Sequence, residues 1–327
     1  MRRLVFRLVV ALFVLAAFPV KAAEQQDVAG WVKDLRVEAL AKGIRAETFD
    51  KAFQGFKPIA RIIELDRRQP EFTLTFPKYL SRVVPASRVK RGKAKYQENK
   101  KLLDVIGKKY GVQPRFIMAF WGVETGFGRH FGGFSVVHSL ATLAYDGRRA
   151  KFFRNQLHRA LRILNQGHIS HAQMKGSWAG AMGNFQFMPS SFENFAVDYD
   201  GDGKRDIWTN KGDAFASAAN YLAKSGWRSD QTWGRAVKLP QGFDSSLVGL
   251  KTRKSISDWQ ALGVRRSDGG DLPKRDLKAS IVIAKNSKTE KVGRAYMVYN
   301  NYRVTLKWNR STFFAVAVGT LAERIGN

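Results

Sequence analysis

A chain of 327 residues with 44% hydrophobic and 12% aromatic content is long enough for one large core or two to three small domains, and too apolar to be a disordered tail. It contains no cysteine, which excludes disulfides and a thiolate zinc site and argues against a lipoprotein anchor. Its formal net charge of +29 calls for a polyanionic partner.

Residues 1–23 read as a secretory signal. Arg2, Arg3 and Arg7 form a positive start, Leu8 to Val20 is an apolar run broken only by Pro19, and Val20-Lys21-Ala22 fits cleavage after Ala22 or Ala23. The run is shorter than the roughly 20 apolar residues of a spanning helix. Without Arg2, Arg3, Arg7 and Lys21 the mature chain carries +25. The expected location is periplasmic and not lipid-anchored. For an exported protein, cell-wall carboxylates and anionic lipid headgroups are better partners than nucleic acid, so peripheral contact with an anionic membrane surface is expected.

Residues 24–112 read as a helical region. Ala29–Ala41 is amphipathic through Trp31, Leu35 and Leu40 and stops at Gly43. A short helix covers Ala46–Phe53, and a long basic one, Ser87 to Tyr110, lies between Pro85 and Gly111. Residues 113–227 form a second region. Pro114 opens a buried helix through Phe116–Glu124 that breaks at Gly126. Helices at about 135–145 and 149–166, a glycine-rich stretch at 176–183, a short helix opened by Pro189, an Asp/Gly loop at 198–206 and a helix over Asp213–Ser225 follow. Residues 228–308 change character. Ala279–Ile283, Ala295–Tyr299 and Tyr302–Lys307 read as strands of a small antiparallel sheet. Residues 309–327 end the chain in a helix, about Ser311–Ile325, that packs on the core through Phe314, Val318 and Leu321. The fold class is mainly α with a small antiparallel β region (α+β), without internal repeats.

Three segments carry chemistry. Glu124, in Trp121-Gly122-Val123-Glu124-Thr125-Gly126-Phe127-Gly128, ends an apolar helix. Apolar neighbours and the negative end of the helix dipole both favour a neutral carboxyl, the form a general acid needs. Taken alone, it reads more readily as a solvated helix-end glutamate than as a catalytic one. Lys175 to Ser191 is rich in glycine, which permits close backbone approach to a ligand. Ser177, Gln186 and the aromatic residues there can hydrogen-bond and stack on a sugar, or the loop can simply pack on the core through Met and Phe. Asp198, Asp200, Asp202 and Asp206 stand at positions 1, 3, 5 and 9 of a calcium-loop spacing, with Gly203 at position 6 and the Lys204 carbonyl at position 7. Position 12 is Thr209, so the bidentate glutamate is missing. The histidines at 130, 138, 158, 168 and 171 form no zinc pattern.

Taken together, these segments resemble the membrane-bound lytic transglycosylase B family, a lysozyme-like group. The resemblance rests on Val123-Glu124-Thr125 with Gly128, on Leu140-Ala141-Thr142-Leu143-Ala144-Tyr145-Asp146 and on the run from Gly176-Ser177 to Gln186-Phe187-Met188-Pro189-Ser190-Ser191. It extends to the Asp/Gly loop, to Asp66-Arg67-Arg68-Gln69-Pro70-Glu71-Phe72 and to Asn309-x-Ser311. It covers nearly the whole mature chain in order and implies a lysozyme-like catalytic core with Glu124 as the one acid and base. It also implies contacts to an N-acetylated sugar from Ser177 and Gln186, with Phe187 and Met188 beside them, and a cleft lined by Trp308 and Asn309. A structural calcium or sodium ion would sit at Asp198, Asp200, Asp202, Lys204 and Asp206, and the chemistry would need no cofactor. Where the family carries tyrosines near the last helix, this chain has Trp308 and Phe314, so a hydroxyl contact is lost.

The function expected is cleavage of the MurNAc–GlcNAc bond of peptidoglycan with formation of 1,6-anhydro ends by a monomeric, soluble member. Alternatives are a hydrolytic muramidase and a non-catalytic peptidoglycan-binding protein. A nucleic-acid role has the charge but no recognised motif.

Overall fold

The structure is a computed structural model and describes residues 27–68, 74–285 and 293–326. The expected signal segment 1–23 and Gln69-Pro70-Glu71-Phe72 lie outside the described residues. Asp27 accepts the Gly30 amide at 2.8 Å and caps α1 (Val28–Ala41). Its buried face is Trp31, Leu35 and Ala39, one helical repeat apart, while Leu40 is exposed. α2 (Ala46–Phe53), α3 (Ala60–Arg68) and α4 (Phe76–Val83) follow. α3 is held by Asp66, which is 1% exposed and paired with Arg148 through contacts of 2.6 and 2.8 Å.

The basic stretch expected as one helix from Ser87 to Tyr110 is two, α5 (Ala86–Glu98) and α6 (Lys100–Tyr110). The break is Asn99, whose side-chain amide donates to the Lys95 carbonyl at 2.8 Å. A short amide that competes for backbone groups favours a helix end over a helix interior.

α7 (Pro114–Thr125) lies at the centre, with Phe116 to Gly122 all buried. A helix apolar all round needs neighbours on every side. It is packed by α5, α6 and the last helix. β1 (Phe134–Ser135), α8 (Val136–Tyr145), α9 (Ala150–Asn165), β2 (Lys175–Gly176), α10 (Pro189–Phe195) and α11 (Lys211–Lys224) complete this part. β1 and β2 pair antiparallel, Phe134 against Gly176.

The rest is built on an antiparallel sheet. β3 (Gly234–Lys238), β4 (Lys254–Ser255), α12 (Ile256–Ala261), β5 (Arg265–Arg266), β6 (Lys278–Lys285) and β7 (Gly293–Val298) give the strand order β4-β6-β7-β3-β5. β6 and β7 are apolar on both faces for a reason. Val282, Ala284, Tyr296 and Val298 join the large core shared with the helices, whereas Ala279, Ile281, Ala295 and Met297 join a second core around Trp259.

Tyr302–Lys307, expected as a strand, is instead part of α13 (Asn300–Trp308). The alternation of Tyr302, Val304 and Leu306 with polar residues imitates a strand, but Asn301, Tyr302, Val304 and Thr305 are the buried ones, a helical spacing. α14 (Thr312–Gly326) packs along α7. Among the described residues no helix is long and apolar enough to cross a membrane.

Candidate active site

Glu124 occupies the last turn of α7. Pro114 opens that helix and Gly126, left-handed at φ 62°, closes it. The Phe127 amide reaches the Trp121 carbonyl at 3.2 Å, a common way to end a helix. The chain stays left-handed through Phe127 (φ 66°) and Gly128 (φ 77°). Among the described residues, only Phe127 and Gln186 (φ 49°) are non-glycine residues with positive φ, and both stand beside this site. Such backbone costs about 1–2 kcal/mol per residue and clusters where geometry serves function.

The half-buried Glu124 accepts the Trp308 indole N–H at 2.8 Å on Oε1. Trp308 ends α13, and its ring lies 4.7 Å from Phe120, 5.3 Å from Phe187 and 4.6 Å from Tyr221. The Tyr221 hydroxyl donates to the Lys307 carbonyl at 2.9 Å and ties that helix end to α11. The carboxyl is therefore aimed by a residue 184 positions away in sequence.

Beneath Glu124 lies the loop 176–188. Its anchor is Asn184, 5% exposed. Its Oδ1 accepts the Trp121 indole N–H at 2.7 Å, and its Nδ2 donates to the carbonyls of Ile207 at 3.1 Å and Trp208 at 2.8 Å. Thr125, next to Glu124, donates from its hydroxyl to the Asn184 carbonyl at 2.9 Å. Asn184 and Thr125 carried no role in the reading of the sequence. The signal for Asn184 was a polar residue between Gly183 and Phe185, because a buried amide must find partners, and that for Thr125 was its place in Val123-Glu124-Thr125.

Ser177 is half-buried and accepts the Ala181 amide at 3.0 Å. Gln186 donates to the Phe131 and Gly183 carbonyls, both at 3.2 Å. Phe187 is buried and forms the floor under Trp308, while Met188 is half-buried. Asn309 is exposed and accepts the Ser311 amide at 3.0 Å. The loop is pressed against its neighbour at Gly132, where a Cβ would stand 2.1 Å from the Gly176 carbonyl oxygen and φ is 88°. Gly132→Ala therefore combines a clash with a disfavoured backbone. Urea denaturation should show a loss of about 3 kcal/mol.

The Asp/Gly loop follows the expected spacing in part. Carboxylate oxygens of Asp198, Asp200 and Asp202 lie within 4.8 Å of one another, and among the described residues this is the one such acidic or histidine cluster. Asp198 accepts the amides of Gly201 at 2.7 Å and Gly203 at 2.8 Å. Asp206 stands apart from that cluster. It accepts the amides of Trp208 at 2.9 Å and Thr209 at 2.8 Å, and the Thr209 hydroxyl. Lys204 is exposed. The fully buried Asp213 receives both ends of the loop, the amides of Tyr199 and Asp206, each at 2.7 Å. Burial pushes its carboxyl up to about 6, against the two amides that pull it down.

Residues 27–323 match the family described as Transglycosylase SLT domain. The membrane-bound lytic murein transglycosylase B of Escherichia coli (strain K12) is 33% identical over 262 residues, which are 76% of this chain and 66% of that relative's length. SltB3 from Pseudomonas aeruginosa, solved in complex with NAG-anhNAM-pentapeptide, is similar at 44% identity with a TM-score of 0.88, over 92% of this chain and 80% of that one. The Escherichia coli lytic transglycosylase Slt35, solved in complex with calcium, is 27% identical with a TM-score of 0.76, over 90% of this chain and 92% of that one.

Proposed function

Because the chain belongs to the transglycosylase SLT domain family, we propose that it cleaves the glycan strands of peptidoglycan as a lytic transglycosylase, with Glu124 as its single acid and base. The observation that carries this is the half-buried carboxyl of Glu124, held by Trp308 at 2.8 Å in a chain similar to proteins solved with NAG-anhNAM-pentapeptide and NAG-NAM-pentapeptide.

Glu124 protonates the oxygen between N-acetylmuramic acid and N-acetylglucosamine as the C1–O bond breaks. The substrate's own acetamido group steadies the cationic C1. The Glu124 carboxylate then takes the proton of the C6 hydroxyl of the same muramic residue. The C6 oxygen closes on C1, and Glu124 regains its proton. No water enters, and one carboxyl serves where most glycosidases need two. Ser177 and Gln186 meet the N-acetylated sugar, Met188 borders it, Phe187 supports Trp308 from below, and Asn309 stands at the rim.

Asp198, Asp200 and Asp202 hold a cation, calcium or sodium, together with the Lys204 carbonyl. Three converging carboxylates repel one another without a counter-charge, which supports this reading. With Asp206 engaged by Thr209 and Trp208, the ion stabilises the loop and takes no part in the chemistry. The enzyme acts in the periplasm after export, as a monomer, with its positive surface resting against the wall or an anionic membrane face.

A digest of purified sacculi read by mass spectrometry tests this. Anhydro ends are expected. Ends heavier by one water would replace the transglycosylase by a hydrolytic muramidase, and intact sacculi would leave a binding protein. Trp308→Phe keeps an aromatic ring against Phe120 but removes the N–H on Glu124. It should lower kcat about tenfold, the worth of one hydrogen bond to a charged group, with KM nearly unchanged.

A further inference from the structure

The end of α4 meets the last turn of α14 and the start of β7, and a cavity of about 530 Å³ opens between them, within the size range of pockets that hold small ligands. Phe76, Leu80 and Val84, with Pro85, make its apolar walls, and Arg294 of β7 and Arg324 of α14 bring the charge. A second cavity of about 290 Å³ shares Leu80, Arg294 and Arg324 and carries the cleft on toward Trp233 and Tyr296. None of the described lining residues belongs to the candidate active site.

Apart from the two arginines, Ser81 is the one polar side chain among the described residues that line the first cavity. Its hydroxyl already donates to the Lys78 carbonyl at 3.0 Å. A peptide would bury amides there without partners, a cost that a hydrocarbon chain does not meet. Arg294 and Arg324 are exposed, and no carboxylate is among the described residues of that lining. The carboxyl in the adjoining cavity is Glu323. It accepts the Trp233 indole N–H at 2.9 Å, and burial pushes its proton affinity above the ordinary value. Two guanidinium groups over an apolar cavity fit a phosphate that carries an acyl chain.

The surroundings repeat the charge. From Phe76 to Gln97 the chain holds seven lysines and arginines and no Asp or Glu. Lys78 and Arg82, each next to a lining residue of α4, are exposed. Such a segment gathers at an anionic membrane, but salt screens that attraction. An acyl chain withdrawn between apolar walls adds burial that salt does not screen.

We propose that the cleft between α4, β7 and α14 seats the acyl chain of an anionic phospholipid, with the lipid phosphate on Arg294 and Arg324, and so holds the protein on a membrane face. The proposal rests on the reading that the positive surface meets an anionic membrane, and it requires nothing of Glu124.

Two probes test it. Dihexanoyl phosphatidylglycerol, below its micelle concentration, is titrated calorimetrically. Vesicles of phosphatidylcholine, with and without phosphatidylglycerol, are read by flotation in low and high salt. The short-chain phosphatidylglycerol should bind saturably, one per chain. Leu80→Trp, which fills the cleft, should abolish that binding, and Arg294→Glu should weaken it about tenfold. Lys90→Glu makes the same change of charge at an exposed site outside the lining and should leave it unchanged. In high salt, flotation with phosphatidylglycerol vesicles should persist for wild type and be lost for Leu80→Trp. Should Leu80→Trp unfold, Arg294→Glu against Lys90→Glu decides alone. Absent or unsaturable binding of the short-chain lipid, or equal weakening by Arg294→Glu and Lys90→Glu, would overturn the seat and leave diffuse charge as the membrane contact. Octanoate bound more tightly than phosphatidylglycerol would make the cleft a fatty-acid site and overturn the phospholipid. If no vesicle holds the wild type, the membrane reading and the seat fall together, while anhydro ends from sacculi would leave the chemistry of Glu124 standing.

Discussion

Glu124→Gln should cut turnover of peptidoglycan about a thousandfold or more while leaving the thermal midpoint within about 2 °C of wild type. The size follows from the chemistry. A positioned acid contributes about 10²–10⁴-fold, and here one group serves as acid and then as base, so both roles go at once. The stability expectation follows from the structure. An amide oxygen at the same place still accepts the Trp308 indole N–H, now 2.8 Å from Oε1, and the side chain keeps its size. Steady-state release of soluble muropeptides and a thermal melt decide it. Turnover near wild type would remove Glu124 from the chemistry, and with it the transglycosylase assignment to this site.

The second large effect is structural and falls on Asn184. Asn184→Ala removes the acceptor of the Trp121 indole and the donor to the Ile207 and Trp208 carbonyls, all in a place only 5% exposed. A buried polar group left without its partner costs about 1–3 kcal/mol. The Ile207 carbonyl keeps the Asn184 backbone amide at 2.9 Å, so two groups are stranded, and a loss of about 3 kcal/mol is expected, or roughly 5 °C in thermal midpoint for a chain of this length. Activity should fall as well, because the Asn184 side chain fixes the position of its backbone carbonyl, which accepts the hydroxyl of Thr125 beside Glu124 at 2.9 Å. Asn184→Asp is the control that separates shape from hydrogen bonding. It has nearly the same shape and still accepts from Trp121, but cannot donate to two carbonyls. It should be about as harmful as alanine. A harmless Asn184→Asp would show that those two donations carry little.

Much of this was legible in the sequence because local chemistry fixes it. Pro114 and Gly126 bracket the helix of Glu124, and no distant residue is needed to see that. The calcium-like spacing from Asp198 to Asp206 is equally local. What escaped is contact between distant segments. Nothing near Trp308 reveals that its indole meets Glu124. Its own helix imitates a strand over Tyr302–Lys307, because apolar alternation at Tyr302, Val304 and Leu306 hides a helical burial pattern. Resemblance to a family pointed to Trp308 where local pattern could not. Asn99 was missed for the opposite reason. Its effect is local, yet one amide inside a long basic run gives little periodic signal, and only its bond to the Lys95 carbonyl shows the break. Asp206 sits at a ligand position by count, and its carboxylate also accepts from Trp208 and Thr209, contacts that spacing does not register.

The two-faced sheet has a consequence for how the chain folds. β6 and β7 divide their side chains between two cores, Val282 and Tyr296 toward the helices and Ile281 and Met297 toward Trp259. A slip of one residue in the pairing of Ile281 with Met297 would turn a strand over and send each set to the wrong core. Neither core tolerates that alone, so each proofreads the register for the other. The small core around Trp259 cannot melt by itself without withdrawing the strands that close the large one, and the region after residue 228 should unfold together with the body that holds Glu124.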